Sequence, residues 1–102
     1  MGVIVEFSII PMGEGTSVSK IIASAVKEVE KIGVKHELTP MCTIFEANSV
    51  EEAFRVVKAA HEAIFKQGVK RVITLVKVDD RRDVERKMED KLESLRKAVS
   101  NL

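Results

Sequence analysis

The chain has 102 residues, of which 45% are hydrophobic, so it can build one core and we predict a single domain over residues 1–102. Its 17 Lys and Arg nearly balance its 16 Asp and Glu, and a formal charge of +1 provides no general attraction for nucleic acid or a membrane surface. One cysteine, Cys42, and two histidines exclude a disulfide framework and a Cys/His zinc site. We therefore expect a cytoplasmic protein with no metal, no cofactor and no membrane span.

The first two predicted elements are a strand and a helix. Strand one covers residues 3–10, where odd positions are uniformly apolar and even positions are mixed. We expect the odd face to lie against helices and the even face to be free for a ligand or a second subunit. After a break rich in Pro and Gly, Thr16 or Ser17 offers a cap for helix one, which is predicted over residues 17–32 and ends at Gly33.

The next segment is too short for a helix with its connections, and a proline in its middle favours extended geometry. It predicts a hairpin-like pair, with strand two at residues 35–39 and strand three at residues 41–48. Ser49 and Glu52 then form a capping-box pattern, in which each side chain bonds a backbone amide near the other residue. This pattern starts helix two, whose wide apolar face ends near Gly68.

Strand four is predicted over residues 69–78, and helix three lies within the charge-rich residues 80–101. The order β-α-β-β-α-β predicts an α+β, ferredoxin-like sandwich with a four-stranded antiparallel sheet and a C-terminal helix. Both main helices cover one sheet face, so helix three or another subunit should cover the other, as in a homo-oligomeric dimer or tetramer. The apolar stripe of helix three is narrow: Val84, Met88, Leu92, Leu95 and Val99.

Polar residues on two strands provide the candidate ligand-binding site. Glu6 and Ser8 lie on the even face of strand one. We expect strand three to be its parallel neighbour, which would bring Thr43 or Glu46 within reach of Glu6. A carboxylate among apolar neighbours is costly to bury alone, so we expect Glu6 to meet solvent, a ligand or an opposite charge.

Other polar residues have both a functional and a structural interpretation. Gly13 and Gly15 could place backbone N–H groups around an anion, or form a flexible connection. Arg81 and Arg82 could clamp an anion or a neighbouring subunit's carboxylate, or belong to a solvated face. His61 falls on the apolar stripe of helix two and is predicted to be a histidine at the edge of the core, because no triad partner or metal-spaced histidine accompanies it. No catalytic constellation is present, and the few aromatic residues disfavour RNA binding.

Five segments together resemble the small thiamine-binding proteins of the YkoF-like group, which are ferredoxin-like and oligomeric. The resemblance covers nearly the whole chain. The segments are PMGEGTSVS at residues 11–19, LTPMCT at 38–43, AHE at 60–62, GVKRV at 68–72 and DDRRD at 79–83.

The resemblance implies binding of thiamine or its aminopyrimidine part, without turnover, by a homo-oligomer. Two residues depart from the family pattern, since Cys42 and Ala47 stand where glycine is usual. A thiol and a methyl group on strand three would shrink a pocket there. The alternative function is a non-enzymatic regulatory or structural module that binds an anion or another metabolite.

Overall fold

Seven secondary-structure elements follow one another in the computed structural model, which describes residues 2–102. The four strands form one sheet in the order β2-β3-β1-β4, with every neighbouring pair antiparallel. This α+β arrangement confirms the predicted fold class and is consistent with a ferredoxin-like fold. The elements are β1 (Val3–Pro11), α1 (Ser19–Ile32), β2 (His36–Leu38), β3 (Thr43–Ala47), α2 (Val50–Phe65), β4 (Val72–Asp79) and α3 (Met88–Ser100).

The direction of β3 beside β1 differs from the sequence prediction. The two strands are neighbours, but they run antiparallel, with Phe7 opposite Thr43 and Glu6 opposite Ile44. The expected parallel pairing was wrong because the crossover through α1 leaves β1 and β2 parallel, with β3 between them. The short hairpin loop makes β3 antiparallel to β2, and β3 is therefore antiparallel to β1 as well. Since directly paired residues share a sheet face, this register decides which side chains can meet.

The hydrophobic core lies between the sheet and the two helices α1 and α2. The odd residues of β1 are buried against the helices, which confirms the predicted use of that face. The Phe7 and Phe45 rings meet edge to face, with centroids 5.8 Å apart. The largest fully buried side chains come from both layers: Phe45, Ile64, Val5, Val29 and Val56.

Helix ends agree with the predictions at two of three positions. Gly33 ends α1 in the left-handed region, with φ 85°, as expected for a C-terminal glycine. The Ser49 hydroxyl accepts the Glu52 N–H at 3.1 Å, which confirms the Ser49 half of the capping box, while the Glu52 carboxylate accepts from the Asn48 side chain instead. The start of α1 was predicted wrongly: the N-cap is Val18, no side chain caps the helix, and Thr16 and Ser17 precede it.

The last helix starts later than its charge-rich segment and packs only at its beginning. Residues 80–87 are not helical, and Met88 is the one buried residue of α3. Lys91 bonds Asp79 at the end of β4, and Asp90 caps the helix by accepting the Lys87 N–H at 2.9 Å. The radius of gyration is 15.2 Å, against about 13 Å for a compact chain of this length. Within residues 2–102, no helix has the length and apolar composition needed to cross a bilayer.

Candidate ligand-binding site

A cavity of about 300 Å³ opens on the helix side of the sheet, between α1 and the loop that joins β2 to β3. Phe7 and Ile9 of β1 form its floor, and α1 supplies one wall. The loop contributes every residue from Leu38 to Thr43. The lining is largely apolar and carries no charged side chain, which suits a flat ring held by a few hydrogen bonds.

The loop over this cavity is held in shape by one threonine. The Thr39 hydroxyl donates to the Cys42 carbonyl at 2.9 Å and accepts the N–H groups of Met41 and Cys42 at 3.3 and 3.1 Å. The Cys42 thiol also lies 3.4 Å from that hydroxyl. These local bonds form a side-chain-stabilised turn, so the cavity wall is preorganised.

Thr43 is the polar group best placed to contact a molecule in the cavity. Its pairing with Phe7 puts its side chain on the helix face, where it is half-buried. Among the hydrogen bonds of residues 2–102, none involves the Thr43 hydroxyl, so it is free to bond a ligand.

A second groove continues outward from the cavity. It shares Ile22, Val26 and Leu38 with the inner cavity and extends along α1 to Lys27 and Glu30. Residues 16–19, at the end of the loop that follows β1, form its other border. Residues 16–19 of the segment PMGEGTSVS therefore border one continuous groove together with the segment LTPMCT, which is distant in sequence.

The opposite face of the sheet holds a smaller groove of about 240 Å³, partly covered by the start of α3. Ile4, Ile44 and Met88 provide apolar lining, and Glu6 and Glu37 lie among the charged lining residues. Neither carboxylate takes part in an ion pair within the part of the chain that the structure describes. This open-face groove is the only one of the grooves described above that Glu6 lines.

The structure separates the four residues predicted to bind a ligand together. Glu6 and Glu46 lie on the open face, opposite Ile44 and Ile4 respectively, whereas Thr43 lies on the helix face. Ser8 borders the inner cavity, but strand alternation turns its side chain toward the open face. Glu6 and Thr43 therefore cannot contact one small ligand within the same subunit.

The predicted anion-binding residues lie apart from both grooves. Gly13 and Gly15 adopt φ of 81° and 80° in an exposed loop, a conformation that glycine reaches readily. Arg81 forms a two-bond fork with Asp83, at 2.6 and 2.9 Å, and Arg82 forms one with Asp80. An external anion would have to displace these carboxylates.

The two arginine forks also change the acidity of their partners. The hydrogen bonds from Arg81 lower the pKa of Asp83 from 3.8 to about 2, and those from Arg82 lower the pKa of Asp80. In both cases the ionised carboxylate is the form that accepts the bonds. The forks stabilise the turn before α3 while its side chains remain in solvent.

His61 lies where α2 meets the sheet. Its Nδ1 atom is 2.6 Å from the Thr74 hydroxyl, and its ring packs against the Phe65 edge with centroids 5.3 Å apart. The side chain is half-buried, which matches the prediction of a histidine at the edge of the core.

Comparisons with known proteins agree with this fold. The family model described as thiamine-binding protein matches residues 5–96. The chain belongs to this thiamine-binding protein family. A UPF0045 protein of Methanothermobacter thermautotrophicus is 42% identical over 95 residues, which cover 92% of this chain and 96% of that protein. UPF0045 protein YqgV of Bacillus subtilis is 40% identical, covering 92% and 94%.

A solved structure shows the same fold in another organism. Protein MJ1052 of Methanocaldococcus jannaschii superposes with a TM-score of 0.85 at 36% identity, covering 92% of this chain and 95% of that one. The family resemblance inferred from five short segments is thus confirmed over most of the chain, and the family has no enzymatic name.

The inner cavity and its outward continuation along α1 together form the helix-side groove, and most of its residues were not predicted from the sequence. Ile22, Val26 and Phe7 appear in the sequence as ordinary core positions, because the register of β3 decides that they enclose a space. Thr39 was noted only as part of the segment LTPMCT, although its side-chain turn shapes the loop. Its pattern, a threonine three residues before the residue whose N–H it accepts, is a detectable turn signal.

Proposed function

We propose that this member of the thiamine-binding protein family binds thiamine or its aminopyrimidine part in the helix-side groove, as a homo-oligomer and without turnover. The observation that carries the proposal is the convergence of two family segments on one continuous groove, which residues 16–19 of one segment and residues 38–43 of the other line. An aminopyrimidine ring fits a neutral, mostly apolar slot with the Thr43 hydroxyl as a hydrogen-bond partner.

Cys42 is the residue that should distinguish this member from relatives with glycine at that position. Its thiol lies in the turn that lines the inner cavity, within 3.4 Å of the Thr39 hydroxyl. The extra atoms reduce the space beside the ring, so the ligand would sit farther out along α1 than it would beside a glycine.

The open-face groove is the second candidate position for the same ligand. Its apolar lining and the carboxylate of Glu6, which forms no ion pair within residues 2–102, would suit an organic cation. The arrangement has one disadvantage, because Lys77 lies directly opposite Glu6 on β4 and reduces the attraction for a positive charge.

Calorimetric titration with thiamine, and with its aminopyrimidine alcohol, tests the proposal. Thr43→Val keeps the side-chain shape and removes the hydroxyl, so it should weaken binding about 2- to 12-fold, the range of one neutral hydrogen bond. Glu6→Gln is the matched control on the other face and should leave affinity unchanged.

Three outcomes would contradict the proposal in different ways. Absence of heat with the wild-type protein would reject this ligand class. Weaker binding by Glu6→Gln together with unchanged binding by Thr43→Val would move the site to the open face. If Cys42→Gly changes neither affinity nor enthalpy, the thiol does not touch the bound molecule.

The oligomer is inferred from apolar surface that one chain leaves exposed. On the open face, Ile10 and Leu75 are 45% and 53% exposed, and Ile73 lies beside them. Leu95 and Val99 of α3 are also exposed, beyond the point where the helix touches its own sheet. We propose that a second copy of this chain covers both surfaces, in a dimer or a tetramer.

A further inference from the structure

A third cavity, of about 610 Å³, lies at the end of the sandwich where β1 begins. Its walls come from four parts of the chain: the start of β1, the connection from α1 to β2, the end of β3 with the first turns of α2, and residues 85–87. The helix-side groove contacts Ile9, six residues along β1 from Val3, which lines this cavity. Ile9 is therefore about 20 Å of strand away from Val3. The third cavity shares no lining residue with the helix-side groove.

Two of the three acidic side chains that line this cavity lie close to a polar or charged partner. Glu46 is only 19% exposed, and its Oε2 atom lies 3.4 Å from the Lys35 ammonium group, which also contacts Glu89 of α3. That buried oxygen accepts no hydrogen bond within residues 2–102. Glu52 accepts a hydrogen bond from the Asn48 amide at 3.2 Å. Within the described part of the chain, Glu85 is the one lining carboxylate without an ion pair or a hydrogen bond.

Three of the four basic side chains that line the cavity have no ion-pair partner within residues 2–102. Arg55, Arg86 and Lys87 line the cavity, and none of them forms a side-chain ion pair among residues 2–102. Arg86 is half-buried as a residue, and its guanidinium group has no hydrogen-bond or ion-pair partner among residues 2–102. By contrast, Arg81 and Arg82, in the turn just before Arg86, each form a two-bond fork with a carboxylate.

The lining carries four basic and three acidic side chains, a net of one positive charge, and three of the basic groups have no ion-pair partner among residues 2–102. Two guanidinium groups and an ammonium group together can bind an anion with several oxygens better than a single carboxylate. A guanidinium fork matches the oxygens of a phosphate group, and two such groups on different walls can bind it from two directions. We propose that this cavity binds a small phosphate-bearing molecule, with Arg55 and Arg86 as its principal ligands and Lys87 as a supporting charge. The cavity volume leaves room for the organic part of such a molecule.

Titration with inorganic phosphate and with pyrophosphate, followed by amide chemical shifts at about 150 mM salt, tests this site. We expect saturable shifts confined to the cavity walls, with acetate at the same concentration producing no saturable change. Arg86→Gln and Arg55→Gln should each weaken phosphate binding about 10-fold or more, the value of one charge-assisted hydrogen bond. Arg96→Gln removes an exposed charge from α3 outside the cavity and should leave binding unchanged.

Several results would overturn the proposal. Linear, unsaturated shifts or equal weakening by Arg96→Gln would show that phosphate only screens surface charge. Acetate binding as well as phosphate would reject the preference for a dianion. If Arg86→Gln unfolds the protein, Arg86→Lys provides the second test, because it keeps the charge but loses the fork and should still weaken binding.

Discussion

The two faces of the sheet use alternate residues of the same strands and have opposite environments. On the helix face, Val5 and Phe45 are completely buried. On the open face, Leu75 and Ile10 remain about half exposed, and only the first turn of α3 covers part of the surface. The helix face is thus largely covered by this chain alone, whereas the open face retains exposed apolar surface.

This difference separates the two roles proposed for the protein. A groove between packed layers has fixed walls, and the Thr39 turn further restricts the loop above the inner cavity. The open face has no such fixed cover, so its apolar residues suit a flat contact between subunits better than a small ligand. Ligand binding and assembly can therefore be changed independently by substitutions on opposite faces.

The largest expected effect is on folding stability from the helix face. Phe45→Ala removes a fully buried ring at the centre of the core and should lower the free energy of unfolding by about 3–5 kcal/mol. Leu75→Ala on the open face should cost less, and its cost should grow with protein concentration because assembly is linked to folding. Urea unfolding at two protein concentrations measures both. An equal cost that does not vary with concentration would contradict the distinction between the faces.

The next prediction concerns assembly. Leu75→Glu places a charge in the proposed contact between subunits and should shift the protein from a dimer or tetramer toward the monomer mass. Gln67→Glu adds the same charge at an exposed position after α2 and should leave the mass unchanged. Light scattering at micromolar concentration measures both variants. A wild-type protein that is already monomeric there would remove the basis for the inferred interface.

Local features were predictable from sequence where one residue determines them. Gly33 ends α1 because its backbone requires positive φ, and Ser49 starts α2 because its hydroxyl accepts a first-turn amide. The start of α1 was not predictable in this way. Thr16 and Ser17 were plausible caps, but the N–H groups of Ile21 and Ile22 both bond the Val18 carbonyl instead.

Nonlocal features were harder to predict from the sequence, because they depend on pairing between distant segments. The order of elements predicted the ferredoxin-like sheet, but assigning the wrong direction to β3 put Thr43 beside Glu6. With β3 antiparallel to β1 and in the observed register, Thr43 lies on the helix face beside Phe7. The residues that enclose the groove there look like ordinary core positions in the sequence. A one-residue shift of register exchanges the faces of every side chain, and composition alone does not determine it.

A smaller effect is expected at the start of α2, beside the phosphate-binding cavity proposed above. Ser49→Ala loses the bond to the Glu52 N–H and should lower the free energy of unfolding by about 1 kcal/mol. Ser17→Ala is the matched control, since α1 has no side-chain cap. Thermal or urea unfolding compares the two. Equal losses in both variants would mean that Ser17 also stabilises a helix start.

The smallest expected effect lies in the exposed turn before α3. Because Arg81 lowers the pKa of Asp83 from 3.8 to about 2, the folded state holds this carboxylate ionised more strongly than the unfolded state does. The resulting stabilisation is present above pH 3.8 and is lost as the pH falls toward 2. Carboxyl carbon shifts followed against pH should give Asp83 a midpoint near 2, provided that the fold persists there. Arg81→Gln should return the midpoint toward 3.8, while the Arg82 fork keeps the pKa of Asp80 low. An Asp83 midpoint that is the same with and without Arg81 would show that solvent separates this pair, and that the turn is not held by its forks.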